Sequence, residues 1–542
     1  MISAPFSMGA LVLLPLFAAA VAALVPGPAR RYVGLAAAVG CTGLSFTVIA
    51  AVGAGEVVEL SLGGYEPPLG ITLRADGFSA LFLLLTTVVG GLVTLFAAVF
   101  PESTGRRLTS AAGEGNLRWR PAHPAFWPLW LGCWSGLNAV FLAGDLFNTY
   151  VGLELVGLTA VGLVALGRTD AWRAALRYLF VAVLGSLLFL IAVGLVVSVT
   201  GTLDIGQSAR VIALRPESHT VVIVALILLT VGLVLKVALV PLHGWLIPAH
   251  AGSPTAVSPL LSALVIKASL FVLLRCWLWL VAPGLSANVG DPDAVASPTV
   301  SAALEWVAWV LAGLGVASIL VGSVMALRQT RLKPLVAYST VAQVGYWFLF
   351  FPILVGPDSG RLEELPVTAL AEDVVIAGAL GGTLGLAIGH GVAKASLFLA
   401  AGYLKEIYGT DELEKLRGVG QGHPGLVLAM GMSAVGLAGL PISLSFSGKW
   451  QLSTSAFASG QYWIVGVVVA ATLLSAAYLL KMMAPLLLEA EDDGHLVDLP
   501  ERRQSGLPPM AVFPPLALGI LTILLGFRGA WVADLLEVGA PW

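Results

Sequence analysis

Glu154, Lys236, Lys267, Lys394 and Lys449 each lie within a long apolar stretch. A charge near the middle of a bilayer costs about 2.5–3.5 kcal/mol, so five cost on the order of 10 kcal/mol or more. Charges of this kind line a polar path or pair with each other, and the chemistry they suggest is proton or ion movement. Histidines add to the set. His243 and His250 are seven apart, and His390 and Lys394 are four apart, on one helical face. Histidine titrates near neutrality, so His243 and His390 are candidate proton relays; a structural hydrogen-bonding role is the alternative. There is no His-Glu-x-x-His and no cysteine partner, and neither metal nor cofactor is expected. Lys481 and Arg275, near the ends of apolar stretches, fit snorkelling to the interface. Lys267 and Lys394 sit deeper. A carboxylate beside a lysine can stay charged, so Glu154 and Lys236 are expected to pair. The carboxylate would hold a proton on the lysine, and separation of the pair would release it. A static ion pair that fixes helix packing is the other reading.

The elements that must position these residues are membrane spans. The 542 residues are 58% hydrophobic and 11% charged, against about 25% charged in soluble domains, which makes this an integral membrane protein. The net charge of −3 carries no signal for nucleic acid, and no such partner is expected. Cys41, Cys133 and Cys276 are far apart and read as buried, inert thiols. Ala18-Ala19-Ala20 resembles a cleavage region, but no Lys or Arg precedes the first apolar run, which reads as a retained helix. A window of about 20 residues gives about fourteen spans: 7–25, 32–53, 78–100, 125–143, 146–167, 172–200, 220–249, 254–281, 302–328, 333–356, 372–404, 424–458, 460–487 and 508–527.

Loop charge orients the spans. Odd-numbered connections hold Arg30, Arg31, Arg106, Arg107, Arg118, Arg120, Arg168, Arg173, Arg328, Arg331, Lys333, Lys405, Lys415, Arg417, Arg502 and Arg503. Even-numbered ones hold only Arg74, Arg210, Arg215 and Arg361. Basic loops favour the cytoplasm, so odd loops are expected there, with both termini on the non-cytoplasmic side of the plasma membrane. The acidic patch Glu489, Glu491, Asp492, Asp493 and the run Asp411 to Arg417 read as solvated loops, with contact to a partner subunit as the second reading. No loop exceeds roughly 25 residues, too short for a nucleotide, flavin or iron–sulfur domain. Any redox chemistry would belong to partner subunits.

The seventh and twelfth spans are overlong and contain Pro241 and Pro441, each near a lysine. Proline breaks a helical ladder, and such breaks survive in membranes where they line a protein-enclosed or watery cavity. Paired breaks five spans apart point to an inverted repeat with its ion site near the midplane. The expected fold is all-α, with two inverted five-helix repeats and broken seventh and twelfth helices. The expected divisions are an N-terminal three-helix segment (1–124), spans four to eight (125–300), spans nine to thirteen (301–487), and a loop with the last span (488–542).

Several segments together resemble the antiporter-like subunits of respiratory complex I, membrane-bound hydrogenases and the multi-subunit cation/proton antiporters (Mrp). They are Arg74-Ala75-Asp76, Gly144-Asp145-Leu146-Phe147-Asn148 through Glu154, Lys236 through Pro241-Leu242-His243-Gly244-Trp245-Leu246, Ala249-His250 with Pro254, and Lys267. Lys333-Pro334 through Gly345-Tyr346, His390 with Lys394-Ala395-Ser396-Leu397-Phe398, and Phe446 with Lys449 complete them. The resemblance implies fourteen core spans in inverted repeats and a mid-membrane chain of charge. In it, Glu154 matches the fifth-span glutamate, Lys236 the broken-seventh lysine and Lys267 the eighth-span lysine. His390 and Lys394 match the eleventh-span pair, and Lys449 the twelfth-span ionisable group. Asp145 to Asn148, Lys449, and a chain that ends soon after its last span look most like the D-type member of the Mrp antiporters. Two departures stand out: Pro248 occupies a position that is often acidic, and Ser445 replaces a glycine beside a single proline.

The expected function is a membrane subunit of a multi-subunit antiporter that exchanges protons for Na+ or another monovalent cation, with no catalytic chemistry of its own. The alternative is a proton-pumping subunit of a complex I-like NADH:quinone oxidoreductase or a membrane-bound hydrogenase. A scaffold without transport is the third reading, and the charged axis argues against it. Expected partners are other membrane subunits, protons, Na+ and the lipid bilayer.

Overall fold

The computed structural model describes residues 3–68, 70–105, 123–167, 171–281, 298–356, 372–488, 508–529 and 531–540. The acidic patch at Glu489, Glu491, Asp492 and Asp493, and Arg106, Arg107, Arg118, Arg120, Arg168, Arg361, Arg502 and Arg503, lie outside the described residues.

Apolar runs of this length become helices because a helix satisfies its own backbone where no water can. The first helices are α1 (Ala4–Leu24) and α2 (Gly27–Gly53), followed by a small antiparallel hairpin of β1 (Val58–Ser61) and β2 (Thr72–Ala75). Next come α3 (Gly77–Val99), α4 (Phe126–Leu142), α5 (Leu146–Ala165), α6 (Ala171–Thr200) and the short amphipathic α7 (Ile205–Ala213). The seventh expected span is α8 (His219–Val237) and α9 (Leu246–Gly252). The eighth is α10 (Val257–Leu260), a π-helical segment Leu261–Val265, α11 (Ile266–Arg275) and a second π segment Cys276–Val281. The second half holds α12 (Pro298–Arg328), α13 (Leu332–Trp347), α14 (Phe351–Val355), α15 (Glu372–Tyr408), α16 (Pro424–Ala438), α17 (Leu444–Ala458) and α18 (Tyr462–Leu487). The chain closes with α19 (Phe513–Leu524) and α20 (Trp531–Leu536).

Among the described residues, twelve helices are long and apolar enough to cross a membrane. Two of the fourteen expected spans take another form. The stretch 125–143 is the 17-residue α4, and 424–458 is divided into the 15-residue α16 and α17. The hairpin and α7 lie where loops were expected.

Both broken spans end their first half in the same way. Ala238 (φ 65°) and Gly439 (φ 75°) take the left-handed conformation. Leu239 N–H then bonds to Val234 O, and Leu440 N–H to Val435 O, closing the last turn. The twelfth break forms with one proline because Gly439 supplies the positive φ and the Ser443 hydroxyl caps the next half at Phe446 N.

Loop contacts sort the chain onto two faces. Gly144 N–H bonds to Thr72 O, Leu146 N–H to Leu203 O, and Gly77 N–H to Val538 O. The connections after spans two, four and six therefore share a face with the C-terminal segment. On the opposite face Leu332 N–H bonds to Asp411 O, and the Lys333 ammonium to Ser253 O, which joins the connections after spans seven, nine and eleven.

Candidate functional site

Two of the buried lysines, Lys236 and Lys449, stand where two helices approach closely. A Cβ on Gly185 would lie 2.6 Å from Gly232 O, so α6 and α8 touch backbone to backbone. That contact lays Lys236, in the last turn of α8, against α6. Its Nζ donates to Ser186 Oγ at 2.6 Å and stands 4.0 Å from Glu154 Oε1. The expected pair is thus brought together but not hydrogen-bonded. Glu154 Oε1 is buried with no hydrogen-bond partner, while the side chain as a whole keeps 25% exposure. Gly382 and Gly448 repeat the close crossing between α15 and α17, each blocking a Cβ on the other at 2.7 Å from a carbonyl oxygen. Lys449 lies one residue beyond. Its Nζ donates to Ala438 O at 2.9 Å and Thr472 Oγ1 at 3.0 Å, and stands 5.0 Å over the Tyr346 ring. Ala438 ends α16, so the ammonium satisfies a carbonyl that the helix break frees.

The deepest part of the site joins the two halves. Lys267 and His390 are both buried, and Lys267 Nζ lies 2.6 Å from His390 Nδ1. A contact this short needs one donor and one acceptor. Either the lysine donates to the imidazole or a protonated Nδ1 donates to a neutral amine, so one hydrogen lies between the two nitrogens. Lys267 Nζ also donates to Ser262 O at 2.6 Å, within the π-helical segment that precedes it, and it lies 5.1 Å over the Trp347 ring. π-Helical turns recur at functional sites; this one was not foreseen, because periodicity does not distinguish it from α-helix. One turn beyond His390, Lys394 Nζ donates to Val336 O at 2.7 Å and to Ser339 Oγ. No direct hydrogen bond joins Lys236 to Lys267, or Lys394 to Lys449. His243 stands apart on the turn Leu242–Trp245, half-buried, with Nδ1 buried and unpartnered.

Three sequence expectations need correction. Arg275 does not snorkel: it is buried and grips Asp76 with two bonds of 2.6 and 2.9 Å, stacked near Phe78, Phe271 and Trp279. Asp76 lies 199 positions away in sequence, so no local pattern signals the pair. Burial works against ionisation of the Asp76 carboxyl, but Arg275, the Ser79 N–H and Arg74 hold it below the usual carboxylate range. Asp411 is not a solvated loop residue; it is buried and bonded to Arg331 (2.7 Å) and Lys405 (3.3 Å). Burial opposes ionisation there too, and Lys405 and Arg331 keep the carboxyl low. Glu414 and Lys415 in the same run are exposed, as expected, and Glu412 is half-buried. Lys333, counted among loop charges, is buried in the first turn of α13 with Nζ 3.0 Å from Ser253 O. A signal existed: a cation in a first turn opposes the helix dipole. Lys481 keeps its place at a span end, donating to Leu327 O. The three cysteines are free and buried.

Among the described residues no group of three or more His, Cys, Asp or Glu could hold a metal. The arrangement can store and pass protons between short-range partners in a dry interior, which is the chemistry of translocation.

The family model "NADH:quinone oxidoreductase/Mrp antiporter, TM" matches residues 143–289, 294–356 and 374–475, more than half of the chain. The chain is 30% identical to NADH-quinone oxidoreductase subunit N of Desulforudis audaxviator, over 98% of each. It is 28% identical to the D component of the Na(+)/H(+) antiporter of Alkalihalophilus pseudofirmus, over 79% of this chain and 75% of that one. In three dimensions it is similar to a chain of the Mrp complex from a Dietzia species, with a TM-score of 0.77, 25% identity, and coverage of 98% and 96%.

Proposed function

Because this chain belongs to the NADH:quinone oxidoreductase/Mrp antiporter transmembrane family, as an antiporter-like membrane subunit of Mrp or complex I-like assemblies, we propose that it moves protons in exchange for a monovalent cation, Na+ foremost. The observation that carries the reading is the Lys267–His390 contact at 2.6 Å, flanked by Glu154 with Lys236 on one side and by Lys394 and Lys449 on the other. The two halves are units 125–300 and 301–487, each with one broken helix and one lysine at the break. In the first unit, Lys236 exchanges its proton between Glu154 and the interior. Its 2.6 Å bond to Ser186 against a 4.0 Å gap to Glu154 supports a pair that opens and closes. Lys267 and His390 pass the proton across the boundary, and Lys394 and Lys449 carry it through the second unit. Sidedness follows the loop charges: the face that holds Arg331, Lys333 and Asp411 is cytoplasmic, and both termini lie outside the plasma membrane.

A second reading is a proton-pumping subunit of a redox-driven complex, favoured by the relative of 98% mutual coverage, which carries an NADH-quinone oxidoreductase name. Purification from native membranes separates the two. Small hydrophobic subunits as companions support the antiporter, and iron–sulfur or nickel–iron companions overturn it. For the axis itself, Glu154→Ala and Lys236→Ala should each abolish cation-dependent proton flux in vesicles while assembly persists. Normal flux in either variant removes the pair from the path.

A further inference from the structure

His250 is fully buried, and neither ring nitrogen has a hydrogen-bond partner. An imidazole in that position forfeits the bonds that both nitrogens would make in water, a cost that a purely structural side chain has no reason to bear. Its ring stacks on Phe398, with centroids 4.5 Å apart and planes 12° apart. Phe398 lies one turn beyond Lys394, which lies one turn beyond His390. The charges facing His250 come from three other elements: Lys333 on α13, Lys394 on α15 and Lys267 on α11. His390 faces it as well.

A run of polar groups leads from the face bearing Asp411 to the backbone carbonyl of His250. Arg331 and Lys405 bind Asp411 at that face, and Lys333 follows two residues after Arg331. Lys333 Nζ donates to Ser253 O at 3.0 Å. Ser253 Oγ and Ser258 Oγ are 2.9 Å apart, and Ser258 Oγ donates to His250 O at 3.2 Å. Polar atoms therefore reach the His250 backbone from Lys333, and Lys394 and the Lys267–His390 pair act on its ring from the other side.

We propose that His250 is a proton-relay residue that joins the Arg331–Lys333–Asp411 face to the Lys267–His390–Lys394 centre, forming an inlet branch separate from the Glu154–Lys236 limb. The neutral imidazole takes a proton on its basic nitrogen, passes one to a lysine that has given its own away, and returns to neutral. Transfer to and from the ring needs bridging water that enters during turnover, because a proton moves only along hydrogen bonds. The relay rests on the translocation reading above.

The test uses the complete assembled complex in vesicles. His250→Phe keeps the stack on Phe398 but removes the titratable nitrogens, and His250→Gln removes them without adding bulk. Both should lower proton flux at least tenfold with normal subunit recovery, and should flatten the pH profile of the residual flux. Phe398→Leu removes the stack, keeps the imidazole and should retain flux. Flux within twofold of the parent in His250→Phe or His250→Gln overturns the relay. If His250→Phe fails to assemble, His250→Gln decides. Loss of flux in Glu154→Ala and Lys236→Ala with full flux in the His250 variants would sink the inlet alone. Full flux in all four would sink the translocation reading itself.

Discussion

Asp145 shows how one side chain can serve local structure at an electrostatic cost. Its Oδ1 caps α5 by accepting the Asn148 N–H at 2.6 Å, while Oδ2 is buried without a partner. Asp204, which caps α7, lies across an isolated β-bridge from it. Burial chiefly, and Asp204 in addition, push the Asp145 carboxyl up to about 6, although the Asn148 and Phe147 N–H groups pull the other way. The sign follows from linkage. Well below the ordinary carboxylate value the group is protonated whether the chain is folded or not, and costs nothing. As pH rises toward 6 the unfolded chain releases the proton first, and stability falls until both states are ionised. Asn caps as well as Asp and carries no charge. Asp145→Asn should therefore match the parent near pH 3 and exceed it above pH 6 by on the order of 1–3 kcal/mol. Thermal midpoints of the purified complex at the two pH values measure this; a gap independent of pH would remove burial of the charge as the cause.

At the scale of the element, the two helix breaks work through backbone geometry more than through proline. The seventh break is tied to the second half where Ser318 of α12 accepts the Val240 N–H at 2.8 Å. Trp245 Nε1 satisfies the freed Leu235 carbonyl at 3.0 Å. In the twelfth, Gly439 has φ 75°, and an added Cβ would meet Lys449 Nζ at 2.9 Å and Cδ at 3.0 Å. A left-handed non-glycine residue costs roughly 1–2 kcal/mol, and the methyl would also push Lys449 off Ala438 O. Gly439→Ala should lower both the thermal midpoint and proton flux, whereas Gly460→Ala, also at φ 75° but with open space around it, should lower the midpoint alone. Equal loss of flux in both variants would show that the break is only structural. The first-half counterpart, Ala238, already adopts the left-handed form with a methyl in place.

Across the whole molecule, long-range ion pairs fasten the ends of the bundle. Arg275 and Asp76 lock α11 to the start of α3 on the face of the hairpin, where Trp279 Nε1 also donates to Gly539 O at 3.1 Å. Asp411 binds Arg331 and Lys405 on the opposite face. Removing one partner of a buried pair leaves an uncompensated charge worth about 3–5 kcal/mol, while replacing both can be close to neutral. Asp76→Ala should destabilise the complex by about that amount, and Asp76→Ala with Arg275→Met should recover most of it. Unfolding midpoints of the two variants decide the point, and a double variant no better than the single would discount the uncompensated charge.

Much of the site was legible before folding was considered, because charge in an apolar run is costly wherever it sits. That cost alone marked Glu154, Lys236, Lys267, Lys394 and Lys449, and the two prolines marked both breaks. Local sequence could not reveal which groups meet. The pairings Lys267–His390, Lys236–Ser186, Lys333–Ser253 and Arg275–Asp76 join residues 50 to 199 positions apart. They depend on which helix faces which, and for Lys236–Ser186 the glycine contact between Gly185 and Gly232 sets that. The same limit misplaced Arg275, Lys333 and Asp411. Each looks exposed from its position at the end of a span, and each is buried because a distant segment covers it. By itself, then, the sequence determined that this is a membrane bundle of broken helices with buried charge, since transfer energy and backbone breaks are local properties. Only the tertiary structure decided how the charges pair and why His250 is left without a partner, since hydrogen bonding in a dry interior is settled by packing.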